Sequence, residues 1–138
     1  MSALPDLTLR EAAARIRARD LSSTELTRAA LDRIAAVEPK LGAFLTVTEK
    51  EAVAAAADVD RRVAAGEDVG PLAGVPVGIK DIICTEGIRT TAASKMLEHF
   101  VPARSDPREG RADLHVGNDS YPLGGSLVGV EHPDTADH

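Results

Sequence analysis

Aromatic residues are scarce in this 138-residue chain, which contains two Phe, one Tyr and no Trp. Because aromatic side chains bury large areas, we expect a thin core built mainly from Ala, Val, Leu and Ile. The single cysteine, Cys84, excludes an internal disulfide and a paired-cysteine metal site. No stretch approaches the ~18 apolar residues of a membrane span, and no apolar signal core follows Met1. We therefore expect no membrane association and a cytoplasmic location.

Positive charge is also in deficit, because 16 basic residues face 22 acidic ones and the net charge is −6. Such a balance argues against general electrostatic binding to nucleic acid, which needs clustered lysine and arginine to displace counterions, but it leaves open a small basic patch in a larger assembly. The length suits a single domain.

Apolar residues at helical spacing are present throughout the first 66 residues and predict three helices. Serine or threonine precedes each helix, twice with a glutamate at capping-box spacing. The predicted caps are Thr8, Ser22 with Glu25, and Thr48 with Glu51, and the predicted helix ends are Pro39 and Gly66.

Three further segments complete an α/β pattern. "AFLTVT" at 43–48 predicts a short strand, and "ASKMLEHF" at 93–100 predicts a short helix. Between them, "VPVGIKDII" at 75–83 is β-branched and apolar at both odd and even positions, which is typical of a central strand buried on both faces.

Lys80 stands inside this predicted buried strand. Burial without a partner lowers the pKa of a lysine ammonium, and a neutral amine is a general base that can take a proton from a serine hydroxyl. Alternatively, Lys80 lies at the strand's end, with its ammonium in water or paired with Asp81. The pattern alone favours this second interpretation, because lysine is seldom buried without a partner.

A family resemblance bears on this choice. "GPLAGVPVGIKDIICTEGIRTTAASK" at 70–95 resembles the stretch around the catalytic lysine of the amidase signature family. Upstream, "LSSTELTRAALDRIAAVEPKLGAFLTVTEKEA" is similar to the branch of that family that comes from aspartyl/glutamyl-tRNA amidotransferases. The resemblance covers residues 7–102. It implies that residues 1–102 form the N-terminal part of an α/β amidase domain, with helices packed on an incomplete mixed sheet.

The resemblance also implies a chemistry. In this family a second serine, held by a cis peptide bond, relays the proton of a nucleophilic serine to a lysine, which corresponds to Lys80; Asp81 would support the site. The implied reaction is hydrolysis of glutamine, with ammonia passing to the B and C subunits of a heterotrimer. They amidate mischarged Glu-tRNA(Gln) or Asp-tRNA(Asn) with ATP and Mg²⁺, so no cofactor is expected in this chain. The alternatives are a fragment of a stand-alone amidase for small amides, or an inactive remnant.

The chain departs from the family at two places. Ile82 stands where the family commonly has asparagine, and residues 103–138 lack the Gly/Ser-rich signature that carries both serines. "GGS" at 124–126 lacks the second serine, so we do not assign Ser126 as the nucleophile. Residues 103–138 hold five of the 11 glycines and three of the four histidines, which predicts a loop-like or disordered tail. We hypothesise a frameshift near codon 102, which translation of the alternative frame would test.

The remaining reactive side chains have simpler explanations. Cys84 is expected to be a small buried hydrophobe, and the Thr/Ser hydroxyls after it either serve a site or form a turn and a helix cap. The histidines lack metal-ligand spacing. The hydroxyl residues are Thr90, Thr91 and Ser94. The histidines are His99, which lies nearest to Cys84 in sequence, and His115, His132 and His138.

Overall fold

The computed structural model describes residues 6–104 and the backbone of residues 126–130. The elements, in chain order, are α1 (Leu9–Ala18), α2 (Ser23–Leu41), α3 (Glu49–Ala64), β1 (Val77–Lys80), a 3₁₀ turn (Lys95–Leu97) and β2 (Ser126–Val130). Three helices and a parallel strand pair make an α/β arrangement, as predicted. None of the helices in the described part has the length and apolar character needed to span a bilayer.

The first two helices begin with reciprocal capping; the sequence predicts the Thr8 cap of α1 and the Ser22–Glu25 capping box of α2, but not the participation of Glu11. In α1 the Glu11 N–H donates to Thr8 Oγ1 (3.3 Å), and the Glu11 carboxylate accepts from the Thr8 N–H (2.9 Å). In α2 the Glu25 N–H donates to Ser22 Oγ (3.0 Å), and the Ser22 N–H donates back to the Glu25 carboxylate (3.1 Å). These pairs satisfy backbone donors that a helix leaves open at its start.

The predicted end of α2 at Pro39 is wrong, because the proline lies inside the helix. A proline has no backbone N–H to donate, yet α2 continues for two residues beyond Pro39, to Leu41. Gly42 takes the left-handed conformation (φ 58°) and its N–H donates to the Glu38 carbonyl (2.9 Å). Glycine adopts this conformation without steric penalty, so it, and not the proline, ends the helix.

The region between α2 and α3 also differs from prediction. Only Phe44 of the predicted 43–48 strand is paired, as an isolated bridge, and its N–H donates to the Glu38 side chain (2.7 Å). Thr48 precedes α3 with φ −94° and ψ 64°, and its side chain makes no capping hydrogen bond, so the predicted capping box is wrong. Gly66 is left-handed (φ 79°) just beyond α3, as predicted.

The two strands pair in parallel. Val77 lies opposite Ser126 and Lys80 opposite Val130, with an irregularity in register between Ile79 and Lys80. Five residues of the segment predicted to be loop therefore form β2, whose sequence "SLVGV" contains the β-branched residues that strands favour. Residues 105–125 and 131–138 lie outside the described residues, so the frameshift hypothesis stays untested.

The core lies between the helices and the turn that enters β1. Its buried hydrophobic residues among the described residues are all Ala, Val, Leu or Ile, which confirms the prediction of a core built mainly from these four. One cluster joins α1 to the start of α2 and to Val75, and a second joins α3 to the 69–73 segment; Val63 packs against both. The clusters consist of Ala12, Ala13, Ile16, Leu21, Leu26 and Val75, and of Val59, Val69 and Ala73.

The predicted 93–100 helix is wrong. The structure has a single 3₁₀ turn there, Lys95–Leu97, preceded by Ser94, whose side chain accepts from the Met96 N–H (3.3 Å). Ala92 and Ala93 both have positive φ, 49° and 55°. A right-handed helix cannot include them, so the regular element is restricted to the residues that follow.

Candidate functional site

The entry to β1 is fixed by the N-terminal turn of α2. Ser23, which is fully buried, donates its hydroxyl hydrogen bond to the Gly74 carbonyl (2.8 Å). Gly74 has φ 82°, and a Cβ at this position would stand 2.7 Å from Ser23 Oγ. Only glycine allows this approach, so the contact holds the chain against α2 three residues before β1 begins.

A carboxylate from α3 holds the same end of α2. Asp60 accepts from the backbone N–H groups of Ser23 (2.6 Å) and Thr24 (3.0 Å) and from the Thr24 hydroxyl (2.6 Å). A negative charge at a helix N-terminus is favourable because it meets unpaired N–H groups and the positive end of the helix dipole. Asp60 thereby ties α3 to α2, and through Ser23 to the turn that leads into β1.

Lys80 is the last residue of β1, and it is exposed. The strand is buried on one side only, since Ile79 is 6% exposed whereas Gly78 and Lys80 are open. The prediction that this strand is buried on both faces is therefore wrong for the chain as described. A strand with that pattern needs covering layers on both sides, and the described residues cover one.

Asp81 points away from Lys80 and into the protein. It is 7% exposed, and one carboxylate oxygen accepts from the Thr91 N–H (2.8 Å) while the other accepts from the Thr91 hydroxyl. Its backbone carbonyl also accepts from the Ala92 N–H (3.0 Å). Within residues 6–104 Asp81 therefore bonds to the 91–92 turn and not to Lys80, so the alternative of a Lys80–Asp81 ion pair is wrong there.

The turn held by Asp81 is conformationally unusual. Ala92 and Ala93 both occupy the left-handed region, where a residue with a Cβ costs about 1–3 kcal/mol. The Thr91 hydroxyl oxygen accepts from the Ala93 N–H (3.3 Å), and the Ser94 N–H donates to the Thr91 carbonyl (2.9 Å). These bonds fix a strained turn directly beside the residue that follows Lys80.

The other reactive side chains do not join Lys80 in a catalytic cluster among the described residues. Cys84 is half-buried and has a free thiol, Ser94 caps the 3₁₀ turn, and His99 is exposed. Within the described part there is no group of three or more His, Cys, Asp or Glu that could hold a metal ion. His115, His132 and His138 lie outside it.

Sequence reasoning missed the contacts that position β1. Ser23 and Gly74 are 51 residues apart, Asp60 bonds to residues 36 and 37 positions away, and Asp81 meets Thr91 across ten. Capping boxes have a fixed spacing of three, whereas none of these long contacts has a characteristic spacing. The one available signal was Gly74, since glycine is the residue that allows both a left-handed conformation and a close backbone approach.

Comparisons with known proteins agree on the family. The Amidase family profile matches residues 25–106, more than half of the chain. The A subunit of glutamyl-tRNA(Gln) amidotransferase from Thermosynechococcus vestitus is 63% identical over 84 residues, which are 61% of this chain and 17% of that protein. The Geobacter metallireducens protein of the same name is 55% identical over 107 residues, 78% of this chain and 21% of its own.

Solved structures agree with the sequence comparisons. The peptide amidase of Stenotrophomonas maltophilia superposes with a TM-score of 0.71 at 31% identity, over 91% of this chain and 25% of that one. The chain thus spans only 17% and 21% of the length of the two curated relatives. The family match covers most of α2, all of α3 and β1, and the turn held by Asp81. The chain belongs to the amidase family.

Proposed function

We propose that residues 1–102 are the N-terminal part of the glutamine-hydrolysing component of a tRNA-dependent amidotransferase, with Lys80 as the proton acceptor. The observation that carries the proposal is the 63% identity over 84 residues to a protein named as the A subunit of glutamyl-tRNA(Gln) amidotransferase. The position of Lys80 supports it, since this lysine ends β1 on the side that the described residues leave open.

The proposed role of Lys80 is proton transfer. A serine hydroxyl would attack the side-chain amide of glutamine, and its proton would pass through a second hydroxyl to the Lys80 amine. The amine would then return a proton to the departing nitrogen, which leaves as ammonia, and water would release glutamate from the serine. An amine accepts a proton only in its neutral form, which apolar surroundings favour. The remainder of the domain would supply both the hydroxyls and this covering.

Asp81 would act through its neighbours and not on the substrate. Its carboxylate holds Thr91 by two hydrogen bonds, and this fixes the 91–94 turn against the end of β1. In the complete assembly, the B and C subunits would receive the ammonia and amidate the mischarged tRNA. ATP and Mg²⁺ would bind on one of these partners, and the site of action would be the cytoplasm.

A chimeric enzyme tests the proposal. Residues 1–102 are joined to the part of the Geobacter metallireducens protein that follows its matched region, and glutamine hydrolysis is measured. We expect turnover that Lys80→Met lowers at least ~100-fold, the lower range for loss of a general base. Lys50→Met is the matched control, because Lys50 is an exposed lysine on α3. Turnover by a folded Lys80→Met chimera at the parent rate would disprove the role of Lys80.

The second candidate is a stand-alone amidase for small amides. The 31% identity and TM-score of 0.71 to a peptide amidase favour it. Copurification of the 138-residue chain itself with the B and C subunits of Geobacter metallireducens separates the two candidates, because the chimera takes most of its length from the Geobacter protein. A chain from an amidotransferase component should bind them, whereas a chain from a stand-alone amidase should bind neither.

A further inference from the structure

Large apolar side chains are concentrated on the surface of one short segment. Four of the six residues from 96 to 101 are large, apolar and open, with exposures of 95% for Met96, 37% for Leu97, 42% for Phe100 and 52% for Val101. Single exposed apolar residues are normal on a soluble protein, but a contiguous group marks an interaction site. We call these four residues the 96–101 surface.

Backbone hydrogen bonds hold the 96–101 surface in place. The Thr90 N–H donates to the Phe100 carbonyl (3.0 Å), and the Gly87 N–H donates to the Pro102 carbonyl (3.0 Å). Pro102 itself is buried. The backbone of the segment is therefore held by hydrogen bonds while its apolar side chains are exposed to solvent. The four side chains are exposed on an ordered segment and not on a loose loop.

The same framework connects the surface to Lys80. Asp81 follows Lys80 directly and holds Thr91 and Ala92, while the neighbouring Thr90 bonds to Phe100. Ile82, also next to Asp81, is 59% exposed. The exposed lysine and the exposed apolar residues are thus carried by one hydrogen-bonded segment that begins at the end of β1.

The size of the relatives indicates what covers this segment. The solved amidase structures match 89–96% of this chain with TM-scores of 0.70–0.77, yet the match is only 22–26% of their own length. About three quarters of the length of each solved chain therefore has no counterpart in this one. The exposed apolar residues are connected to the end of β1, where Lys80 lies, by one hydrogen-bonded segment. We therefore expect them to contact that unmatched part of an amidase and not an unrelated partner.

We propose that the 96–101 surface docks the remaining part of an amidase domain when that part is supplied as a separate polypeptide. The two pieces would associate without a covalent link and enclose Lys80 between them. This inference rests on the family assignment and on the exposed residues, and it does not depend on which amide is hydrolysed.

Coexpression tests the inference. The 138-residue chain carries an affinity tag, and its partner is the Geobacter metallireducens protein from which the matched N-terminal region has been removed. We expect the two to copurify in a 1:1 complex, as measured by sedimentation. The double variant Met96→Lys/Phe100→Lys should lower the amount of complex at least tenfold. Leu41→Lys is the matched control, because Leu41 is 67% exposed at the far end of α2, and it should leave the complex unchanged.

Circular dichroism of each variant alone shows whether it folds, and since both substituted side chains are exposed we expect unchanged spectra.

A second measurement uses the covalent chimera, where Met96→Lys/Phe100→Lys should lower the midpoint of thermal unfolding and Leu41→Lys should not. Three results would each overturn the inference. The first is that no complex forms, and the second is that the chain associates with itself through this surface. The third is that the double variant changes neither the amount of complex nor the unfolding midpoint of the chimera. A complex that forms but fails to hydrolyse glutamine would support the surface and count against the proposed function.

Discussion

At the scale of single residues, two buried positions in α2 differ in how their hydroxyl groups are used. Ser23 bonds to the Gly74 carbonyl, and the glycine leaves no room for a side chain. Thr27, one turn further along, is also fully buried, but within the described residues its hydroxyl has no hydrogen-bond partner. The Ser23 hydroxyl is therefore hydrogen-bonded to one defined partner, whereas the Thr27 hydroxyl is buried without a hydrogen bond among the described residues.

Gly74→Ala should destabilise the chain more than Gly66→Ala does. Both glycines have φ near 80°, so both variants carry similar backbone strain, but only at residue 74 would the new Cβ strike Ser23; nothing lies within 4 Å at residue 66. The added steric clash should cost about 1–3 kcal/mol beyond the shared strain. Urea unfolding of the two variants measures the difference, and equal free energies of unfolding would contradict the described contact.

Thr27→Val should stabilise the chain by about 1 kcal/mol, because it replaces a buried, unpaired hydroxyl with a methyl group of similar shape. Thr24→Val provides the contrast, since the Thr24 hydroxyl donates to Asp60 at 2.6 Å. That variant should lose stability. Free energies of unfolding measure both changes, and a destabilising Thr27→Val would show that the hydroxyl has a partner.

At the scale of secondary-structure elements, the sequence predicted local features and failed on distant ones. The Thr8 cap of α1 and the Ser22–Glu25 capping box of α2 were predictable, because a capping box joins residues only three positions apart. The predicted stop at Pro39 failed because Gly42 ends the helix, and the 93–100 helix failed because Ala92 and Ala93 are left-handed. The predicted strand at 43–48 is reduced to a bridge at Phe44, whose N–H bonds to the Glu38 side chain, a contact that strand propensity does not consider.

Asp60→Ala should loosen the junction of α2 and α3. It removes the acceptor of three hydrogen bonds at the start of α2, and bonds to a charged group are worth about 1.5–3 kcal/mol each before the neighbours adjust. We expect a loss of at least ~2 kcal/mol in the free energy of unfolding. Asp58→Ala on the same helix is the control, because its surface pair with Arg61 is worth less than ~1 kcal/mol. Similar losses in the two variants would contradict the role of Asp60.

The start of α1 should weaken in acid. Hydrogen bonds from the Thr8 side chain, and then from its backbone N–H, lower the pKa of Glu11 below its ordinary value. A carboxyl whose pKa is lower in the folded state stabilises the fold above the unfolded pKa, and this contribution disappears as pH falls through the folded pKa. NMR titration of the Glu11 carboxyl carbon measures the effect. A midpoint at or above the ordinary glutamate value would contradict the capping geometry, and Glu11→Gln should abolish the acid loss at this helix.

At the scale of the whole molecule, the share of the fold that this chain spans bears on why β1 was wrongly predicted to be buried on both faces. The apolar residues around Lys80 have the pattern of a strand covered on both faces, and the resemblance to amidases identified the family correctly. Yet the chain spans about a fifth of its curated relatives, 17% and 21% in the Thermosynechococcus and Geobacter proteins. A sequence pattern records the environment of the complete fold, whereas exposure in this structure depends on what the chain itself supplies.

The central proposal is that the complete amidase domain would enclose Lys80, which is exposed in this chain. The most direct measurement is the acetylation of each lysine by a limiting reagent, followed by mass spectrometry, in the free chain and in the complex with the remaining part of the domain. Lys40 and Lys50, which are exposed on α2 and α3, serve as internal controls. We predict that labelling of Lys80 falls at least tenfold in the complex while that of the controls is unchanged. Equal labelling of Lys80 in the free chain and in the purified complex would contradict the claim.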